Sequence, residues 1–138
     1  MVFCYKKLGA HHFVVTTDPK QVEEAKNSFD FILDTVSAEH DFNMYLSLLK
    51  TNGVMMCVGV PSVPAEIHPF SLLAGRKSVA GSGIGGIKET QEMLDYCAEH
   101  NIVSDIEMIN IQDITTAYER MLKGDVRYRF VIDIASLK

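Results

Sequence analysis

The residues of this sequence that are best placed to bind a ligand follow three short apolar stretches. Thr35 and Ser37 come after "FDFILD", Gly59 follows "VMMCV", and the glycine-rich "GSGIGG" occupies positions 81–86. If these stretches are parallel strands, their carboxyl ends share one edge of a sheet, where open α/β sheets bind ligands. Hydroxyl groups there can hydrogen-bond a ribose or a planar ring, and glycine lets a ring approach the backbone. The sequence therefore predicts a ligand site at this edge.

Each of these features also has a purely structural explanation. Ser37 or a neighbour can cap the helix that follows, and Gly59 can belong to a plain turn. Gly81, Gly83 and Gly86 have the G-x-G-x-x-G spacing, but a pyrophosphate-binding turn follows the first strand of its unit. Here the glycines follow the fourth predicted strand, so we interpret them as a flexible rim that offers backbone groups.

Side chains that could carry out catalysis or bind a metal are scattered. The sequence has no H-E-x-x-H, G-x-S-x-G or C-x-x-C motif. His11 and His12 are adjacent and would point to opposite faces of a strand. The other histidines occur near predicted helix ends or loops, where we expect a solvated imidazole: His40, His68 and His100. The sequence predicts no catalytic residue and no metal ligand in this chain.

Cysteine spacing and overall composition exclude several further classes. Cys4, Cys57 and Cys97 are far apart, which excludes a disulfide framework and a Cys-rich zinc site within this chain. The formal charge of −5 and the lack of a basic cluster argue against a nucleic-acid surface. No apolar run is long enough to span a bilayer, and the start has no signal-peptide pattern, so we expect a cytoplasmic protein.

Strands and helices of about ten residues alternate along the chain, which predicts an α/β fold with a parallel sheet and right-handed crossovers. The predicted strands are "HFVV", "FDFILDTV", "VMMCVGV" and "SVAGSGIG". Asp18 is expected to cap a short helix, and a later helix places Phe42, Leu46 and Leu49 on one buried side. Gly53 is expected to supply a positive φ where that helix stops.

Three further segments complete the predicted elements. The opening residues resemble the end of a helix that stops at Gly9. A helix "KETQEMLDYCAEHN" is expected to place Met93, Leu94, Cys97 and Ala98 on one apolar side. The tail is predicted as strand, helix and strand, with the helix capped by Asp113 and ended by Gly124. The pattern leaves open whether these last strands join the first sheet or form a second small layer.

Three stretches carry a resemblance to a known family: "FDFILDTVSAEHDFNMYLSLLKTNGVMMCVGVP", "GRKSVAGSGIGGIKETQEMLDYCAEHNI" and "AYERMLKGDVRYRFVID". They resemble the carboxyl-terminal half of zinc-dependent medium-chain alcohol dehydrogenases, in the cinnamyl-alcohol-dehydrogenase branch. The resemblance implies a partial Rossmann-type sheet containing strands three to six, followed by a segment that returns to the catalytic domain. Residues 1–101 would form part of the NADP-binding domain, and residues 102–138 would belong to the catalytic domain.

The resemblance also implies site residues and cofactors. Cofactor contacts map to the ends of strands four, five and six: Thr35, Gly59, Ser82, Gly83 and Ile84. These would hold the nicotinamide end of NADP, and Ile84 would also touch the substrate. Gly83 replaces the larger apolar residue usual in the branch. The pyrophosphate loop, the 2′-phosphate contacts and the zinc ligands of the family have no counterpart here. The preference for NADP over NAD rests on the branch alone.

The resemblance implies partners and leaves three functions open. Strand four would be an open edge, so we expect a homodimer through the sixth strand, Ser78 to Ile84, or association with a missing amino-terminal half. The chain would then be an inactive fragment of an alcohol dehydrogenase. Alternatively, it is a non-catalytic dimerisation or nucleotide-binding module, or one half of a split enzyme. The natural alcohol or aldehyde is not specified by these residues.

Overall fold

The computed structural model describes residues 9–137 and divides the chain into two compact units, Met1–Ile84 and Gly85–Lys138. The helix predicted at the start of the chain, and Cys4 with it, lie outside the described residues. The predicted boundary between residues 101 and 102 concerns the two domains of a whole enzyme, and it stays a prediction. The two units are described separately.

The first unit is a three-stranded parallel sheet with short helices between its strands. Its elements are helix α1 (Pro19–Glu24), strand β1 (Phe29–Asp34), helix α2 (Phe42–Leu48), strand β2 (Leu49–Cys57), helix α3 (Pro69–Leu73) and strand β3 (Ser78–Gly81). The strand order is β1-β2-β3, and both pairings are parallel. The α/β class and three of the predicted strands are confirmed. β1 is an edge strand of this sheet.

The core of the first unit lies on one face of the sheet. Phe42, Leu46, Leu49 and Met55 are its buried members, and Leu46, Leu49 and Met55 have no exposed surface. The predicted burial of Phe42, Leu46 and Leu49 is confirmed, although α2 ends at Leu48 and Leu49 begins β2. Around the core pack the partly buried residues Ile32, Tyr45, Cys57, Ile67, Leu72 and Val79.

A tight turn inside β2, where its pairing with β1 shifts register, corrects one prediction. The positive φ of +65° belongs to Asn52 and not to Gly53. Gly53 is needed for space, because a Cβ there would lie 2.9 Å from the Cβ of Leu49 and 3.0 Å from the carbonyl oxygen of Lys50. Asparagine tolerates the left-handed region, so it can make the turn while glycine allows the close packing.

The predicted strand "HFVV" is not a strand in the structure. A strand exists only where its backbone groups pair with a neighbour, and Val15 uses its groups locally. Its carbonyl oxygen accepts the Asp18 N–H at 3.0 Å, and its own N–H donates to the Gln21 side chain at 3.0 Å. Asp18 caps α1 as predicted, because its carboxylate accepts the Lys20 N–H at 3.0 Å.

The second unit contains two helices, two short strands and two single 3-10 turns. Its elements are helix α4 (Ile87–Glu99), strand β4 (Glu107–Asn110), a 3-10 turn (Ile111–Asp113), helix α5 (Ile114–Leu122), strand β5 (Phe130–Asp133) and a 3-10 turn (Ile134–Ser136). β4 and β5 pair in parallel as a separate two-stranded sheet. The tail therefore forms a second small layer and does not extend the first sheet.

Arg120 of α5 contacts both strands of the second unit and the loop that follows α5. Its guanidinium donates to Asp125 at 3.0 Å and to Glu107 at 2.8 Å, and it lies 4.9 Å from the centre of the Phe130 ring. The hydrogen bonds to Asp125 and then to Glu107 raise the pKa of Arg120 above its usual value. Gly124 ends α5 with a φ of +68°, as predicted.

Two predictions for the second unit are confirmed with one qualification each. Asp113 occupies the N-cap position of α5 as predicted, but its side chain makes no capping hydrogen bond. The predicted amphipathic helix is α4, and its apolar side is exposed, with Met93 and Leu94 51% and 52% exposed. Helical spacing identifies an apolar stripe, but burial also requires a surface to cover it. Among residues 9–137, no helix is both long and apolar enough to cross a membrane.

Candidate functional site

The three strands of the first unit end together at one edge of their sheet. Asp34 pairs with Cys57, and Cys57 pairs with Gly81, so the last residue of each strand lies at the same level. Neighbouring strands are roughly 5 Å apart, so the residues that follow form one continuous rim. Thr35 and Ser82 begin the first and third of these loops and are exposed. The sequence prediction that these strand ends meet is confirmed.

The loops after β1 and β2 are joined by hydrogen bonds. The carbonyl oxygen of Asp34 accepts the N–H groups of Val58 at 2.9 Å and Gly59 at 3.1 Å. The hydroxyl of Ser37 accepts the N–H of Val60 at 3.4 Å. The starts of the two loops are therefore held together.

Gly59 has a packing role that its position alone did not reveal. A Cβ on this residue would lie 2.3 Å from the carbonyl oxygen of Val36 and 2.8 Å from its nitrogen. No side chain tolerates such contacts, so the loop after β1 can pass over residue 59 only if that residue is glycine. The space at this glycine is filled by the protein's own backbone.

The loop after β3 leaves open space at the same edge. The N–H of Ser82 donates to the carbonyl oxygen of Cys57 at 3.2 Å, which continues the sheet by one bond. A Cβ on Gly83 would have no heavy atom within 4 Å. Ile84 exposes its whole side chain. This part of the rim has room for a planar group against the backbone.

The helix start that follows the glycines is already occupied by a carboxylate. The N–H of Gly86, the residue that precedes α4, donates to Glu89 Oε2 at 2.8 Å. A helix amino terminus attracts one anion, and a phosphate here would meet the charge of Glu89. This agrees with the interpretation that "GSGIGG" is no pyrophosphate loop.

Two residues at the site were missed at the sequence level. Asp34 is the one buried charged residue among those the structure describes, at 6% exposure, and its Oδ2 lies 3.2 Å from His40 Nε2. The expectation that His40 is solvated was wrong, because its side chain is only 11% exposed. The available signal was an aspartate ending an apolar strand, with a histidine just before the next helix cap.

Cys57 is the last residue of the central strand β2, and the charge of Asp34 affects its thiol. It is partly buried. Burial raises the pKa of the Cys57 thiol, and the nearby negative charge of Asp34 raises it further. The thiol is therefore a poor nucleophile at neutral pH, because the thiolate is the reactive form.

The cavity beside this rim has the wrong charge for a phosphate. A cleft of about 780 Å³ is lined by residues 39–43, 61 and 63–66. Glu39, Asp41 and Glu66 contribute carboxylates to it. Any dinucleotide at the strand ends would therefore keep its phosphates away from this cleft.

The residues at the rim suit the ring end of a dinucleotide and not a metal. Exposed hydroxyls of Thr35 and Ser82 can hydrogen-bond a carboxamide or ribose, and the open backbone at Gly83 admits a flat ring. Over residues 9–137, no group of three or more His, Cys, Asp or Glu side chains is placed to hold a metal ion. The described residues thus do not fit a zinc site.

Comparisons with known proteins give one consistent result. A family model described as zinc-binding dehydrogenase matches residues 4–99. Cinnamyl alcohol dehydrogenase 2 from Arabidopsis thaliana is 56% identical over 130 residues, which cover 94% of this chain and 35% of that protein. The chain thus spans little more than a third of the length of that curated relative.

Two solved structures superpose on the fold. A cinnamyl alcohol dehydrogenase from Sorghum bicolor has a TM-score of 0.91 at 44% identity, over 99% of this chain and 38% of that one. A cinnamyl alcohol dehydrogenase from Helicobacter pylori, complexed with NADP(H), has a TM-score of 0.70 at 40% identity, over 83% of this chain and 34% of that one. The chain belongs to the zinc-binding dehydrogenase family and matches the carboxyl-terminal part of its cinnamyl-alcohol-dehydrogenase branch.

Proposed function

We propose that this chain is the nicotinamide-binding part of an NADP(H)- and zinc-dependent alcohol dehydrogenase that interconverts alcohols and aldehydes. The observation that carries the proposal is the alignment of Asp34, Cys57 and Gly81 at one edge of a parallel sheet. This alignment places Thr35, Gly59 and Ser82 on a single rim. The similarity to cinnamyl alcohol dehydrogenases, one of them complexed with NADP(H), supports the assignment.

The rim residues would orient the nicotinamide ring. NADPH, when bound, supplies the hydride that reduces the aldehyde carbon. Thr35 would hydrogen-bond the carboxamide or the adjoining ribose, and the Ser82–Gly83 backbone would lie against the ring. Gly59 would offer its carbonyl group, and Ile84 would pack on the ring and on the substrate. The role of this chain is to fix which face of the ring meets the aldehyde.

We propose that the 138-residue chain has no dehydrogenase activity alone. Its described residues offer no metal site, and their one glycine-rich helix start carries a carboxylate. Without contacts to the pyrophosphate and the 2′-phosphate, we expect an NADPH Kd weaker than about 1 mM. The rest of the site would come from another stretch of polypeptide, in the same or a separate chain.

A chimera tests the proposed function. The matching 130 residues of the Arabidopsis relative would be replaced by this chain, and NADPH-dependent reduction of an aromatic aldehyde would be measured. We expect a turnover rate within about tenfold of the parent enzyme, which corresponds to roughly 1.4 kcal/mol in activation free energy. A folded, zinc-loaded chimera with no NADPH-dependent activity would contradict the proposal.

A variant of the chimera tests the predicted contact of Thr35. Thr35→Val removes the hydroxyl and keeps the shape, so KM for NADPH should rise about three- to tenfold, the equivalent of one neutral hydrogen bond. Thr17→Val alters another exposed threonine, away from the strand ends, and should leave KM unchanged. An equal effect of both variants would show that Thr35 has no specific role.

A further inference from the structure

Asp34 is a buried carboxylate at the end of β1, where it links several parts of the rim. Its Oδ1 accepts the N–H of Val36 at 3.0 Å, and its backbone carbonyl accepts N–H groups from the loop after β2. Burying a carboxylate is costly unless it is paired and hydrogen-bonded. Its other oxygen, Oδ2, lies 3.2 Å from Nε2 of His40, and neither of these two buried atoms has a hydrogen-bond partner among the described residues.

His40 is held in place from three sides. Its ring stacks on Phe42 with the ring centres 4.8 Å apart, and meets the edge of Tyr45 at 5.5 Å. Its Nδ1 lies 2.8 Å from the carbonyl oxygen of Ala38. Phe42 belongs to the buried core, so the imidazole is anchored to the packed part of the unit.

The two neighbours of the ring determine where its protons are. A carbonyl oxygen can only accept, so Nδ1 must carry hydrogen to bond Ala38. In a neutral imidazole Nε2 would then be bare and would face a carboxylate oxygen, which is repulsive. The arrangement is satisfied when Nε2 also carries hydrogen and Asp34 is ionised.

The titratable groups around Asp34 and His40 agree with a ring that carries hydrogen on both nitrogens. Glu39 and Asp41 flank His40 on its own segment and are exposed carboxylates. From β2, the thiol of Cys57 faces Asp34, and from α2 the phenol of Tyr45 faces the ring. None of these groups carries a positive charge that would compete for Asp34.

The pair closes residues 34–40 into a loop that carries the predicted contact Thr35. The same loop rests on Gly59 through the backbone of Val36. A movement of Asp34 would therefore displace both rim residues together. The side chain of His40 reaches this point from the start of α2, which is attached to the core.

We propose that His40 is a positioning residue of the nicotinamide site: as an imidazolium bridging Asp34 and Ala38, it holds Thr35 and Gly59 in the geometry that receives the ring. This role rests on the proposed function, but the bridge itself does not. His40 acts through Asp34 and does not contact the cofactor.

The bridge is tested by nitrogen-15 NMR of the His40 ring in the 138-residue chain at neutral pH. In the wild type we expect both ring nitrogens to be protonated. In Asp34→Asn, the amide of the new side chain can donate to a bare Nε2, so we expect a neutral ring with hydrogen on Nδ1 alone. A neutral ring in the wild type, or no difference between the two proteins, would overturn the proposal.

The positioning role is tested by titrating the same proteins with reduced nicotinamide mononucleotide and following the amide signals of Thr35 and Gly59. His40→Phe keeps the stacking ring but leaves Asp34 without a partner, so we expect Kd to rise about tenfold. Asp34→Asn preserves the hydrogen bonds and should change Kd less than about twofold. His100→Phe replaces an exposed histidine and should have no effect.

The outcomes separate the two proposals. If the nucleotide binds equally well to the wild type and to His40→Phe, the positioning role fails and the proposed function stands. If the wild type shows no change at the strand ends at millimolar nucleotide while His40 is doubly protonated, the positioning role fails, and the proposed function is decided by the activity of the chimera. If His40→Phe does not fold, Asp34→Asn still decides, because a Kd raised about tenfold there would overturn the hydrogen-bond scheme.

Discussion

At the scale of single residues, the pKa of the Cys57 thiol depends on the charge of Asp34 at the strand ends. Its pKa lies above the usual value because of burial first and the charge of Asp34 second. Alkylation of Cys57 by iodoacetamide should therefore reach half its maximal rate at a higher pH than alkylation of a cysteine peptide. Asp34→Asn should move that midpoint to lower pH. Mass spectrometry of the Cys57 peptide measures both rates.

The raised pKa of Cys57 also makes stability depend on pH. An acid whose pKa is raised by folding holds its proton longer in the folded state than in the unfolded state. The free energy of unfolding should therefore fall as pH rises above the usual thiol pKa of 9.0, and Cys57→Ala should weaken this fall. Alkylation of Cys57 with the pH profile of a free peptide would contradict both expectations.

Substitution by alanine should destabilise the protein at one glycine of the rim and not at the other. Gly59→Ala places a methyl group against the backbone of Val36, and we expect it to lower the free energy of unfolding by about 1–3 kcal/mol. Gly83→Ala meets open space and should change it by less than about 0.5 kcal/mol. Urea unfolding distinguishes them. Equal costs would show that the two loops do not touch as described.

At the scale of elements, the packing of α2 on the sheet carries the stability of the first unit. Leu46 has no exposed surface, so Leu46→Ala should cost about 2–5 kcal/mol through lost burial and a residual cavity. Leu73, at the end of α3, is 73% exposed, and Leu73→Ala should cost less than about 0.5 kcal/mol. Urea unfolding measures both. A cost below 1 kcal/mol for Leu46 would contradict this packing.

The elements show which features of the fold were readable from the sequence. Long apolar runs and i, i+4, i+7 spacing identified β1, β2, β3 and α2, because local pattern and burial agree there. The strand "HFVV" was not found and the apolar side of α4 is exposed, because strand pairing and burial each depend on a second surface. Local sequence cannot specify such a surface.

The candidate site divides in the same way. The shared level of the strand ends follows from parallel pairing and was predictable. The contact of Gly59 with Val36 and the pairing of Asp34 with His40 were not, because both join residues across loops. A histidine beside a helix start is usually solvated, and only the tertiary packing on Phe42 and Tyr45 decides otherwise.

At the scale of the whole molecule, the face of the first sheet opposite its core is apolar and open. Phe31 and Leu33 are 54% and 55% exposed on the edge strand β1. Such a surface favours association. We propose that it associates with another polypeptide segment of the enzyme, or that two copies pair through Ser78 to Ile84.

Association of the chain can be measured by sedimentation at micromolar concentration. If contacts at β1 dominate, Phe31→Lys should weaken association at least about tenfold, because a buried lysine charge opposes it. Pairing through Ser78 to Ile84 should be insensitive to this substitution. A stable monomer of the unsubstituted chain would contradict both modes.

The central claim is that the ends of β1, β2 and β3 receive the nicotinamide ring, and hydrogen exchange tests it most directly. Exchange would be measured by mass spectrometry on the chimera with and without NADPH, because bound ligand slows the opening of the backbone it contacts. We predict slower exchange in the segments 35–37, 58–60 and 82–84. Unchanged exchange in all three segments of a chimera that demonstrably binds NADPH would contradict the claim.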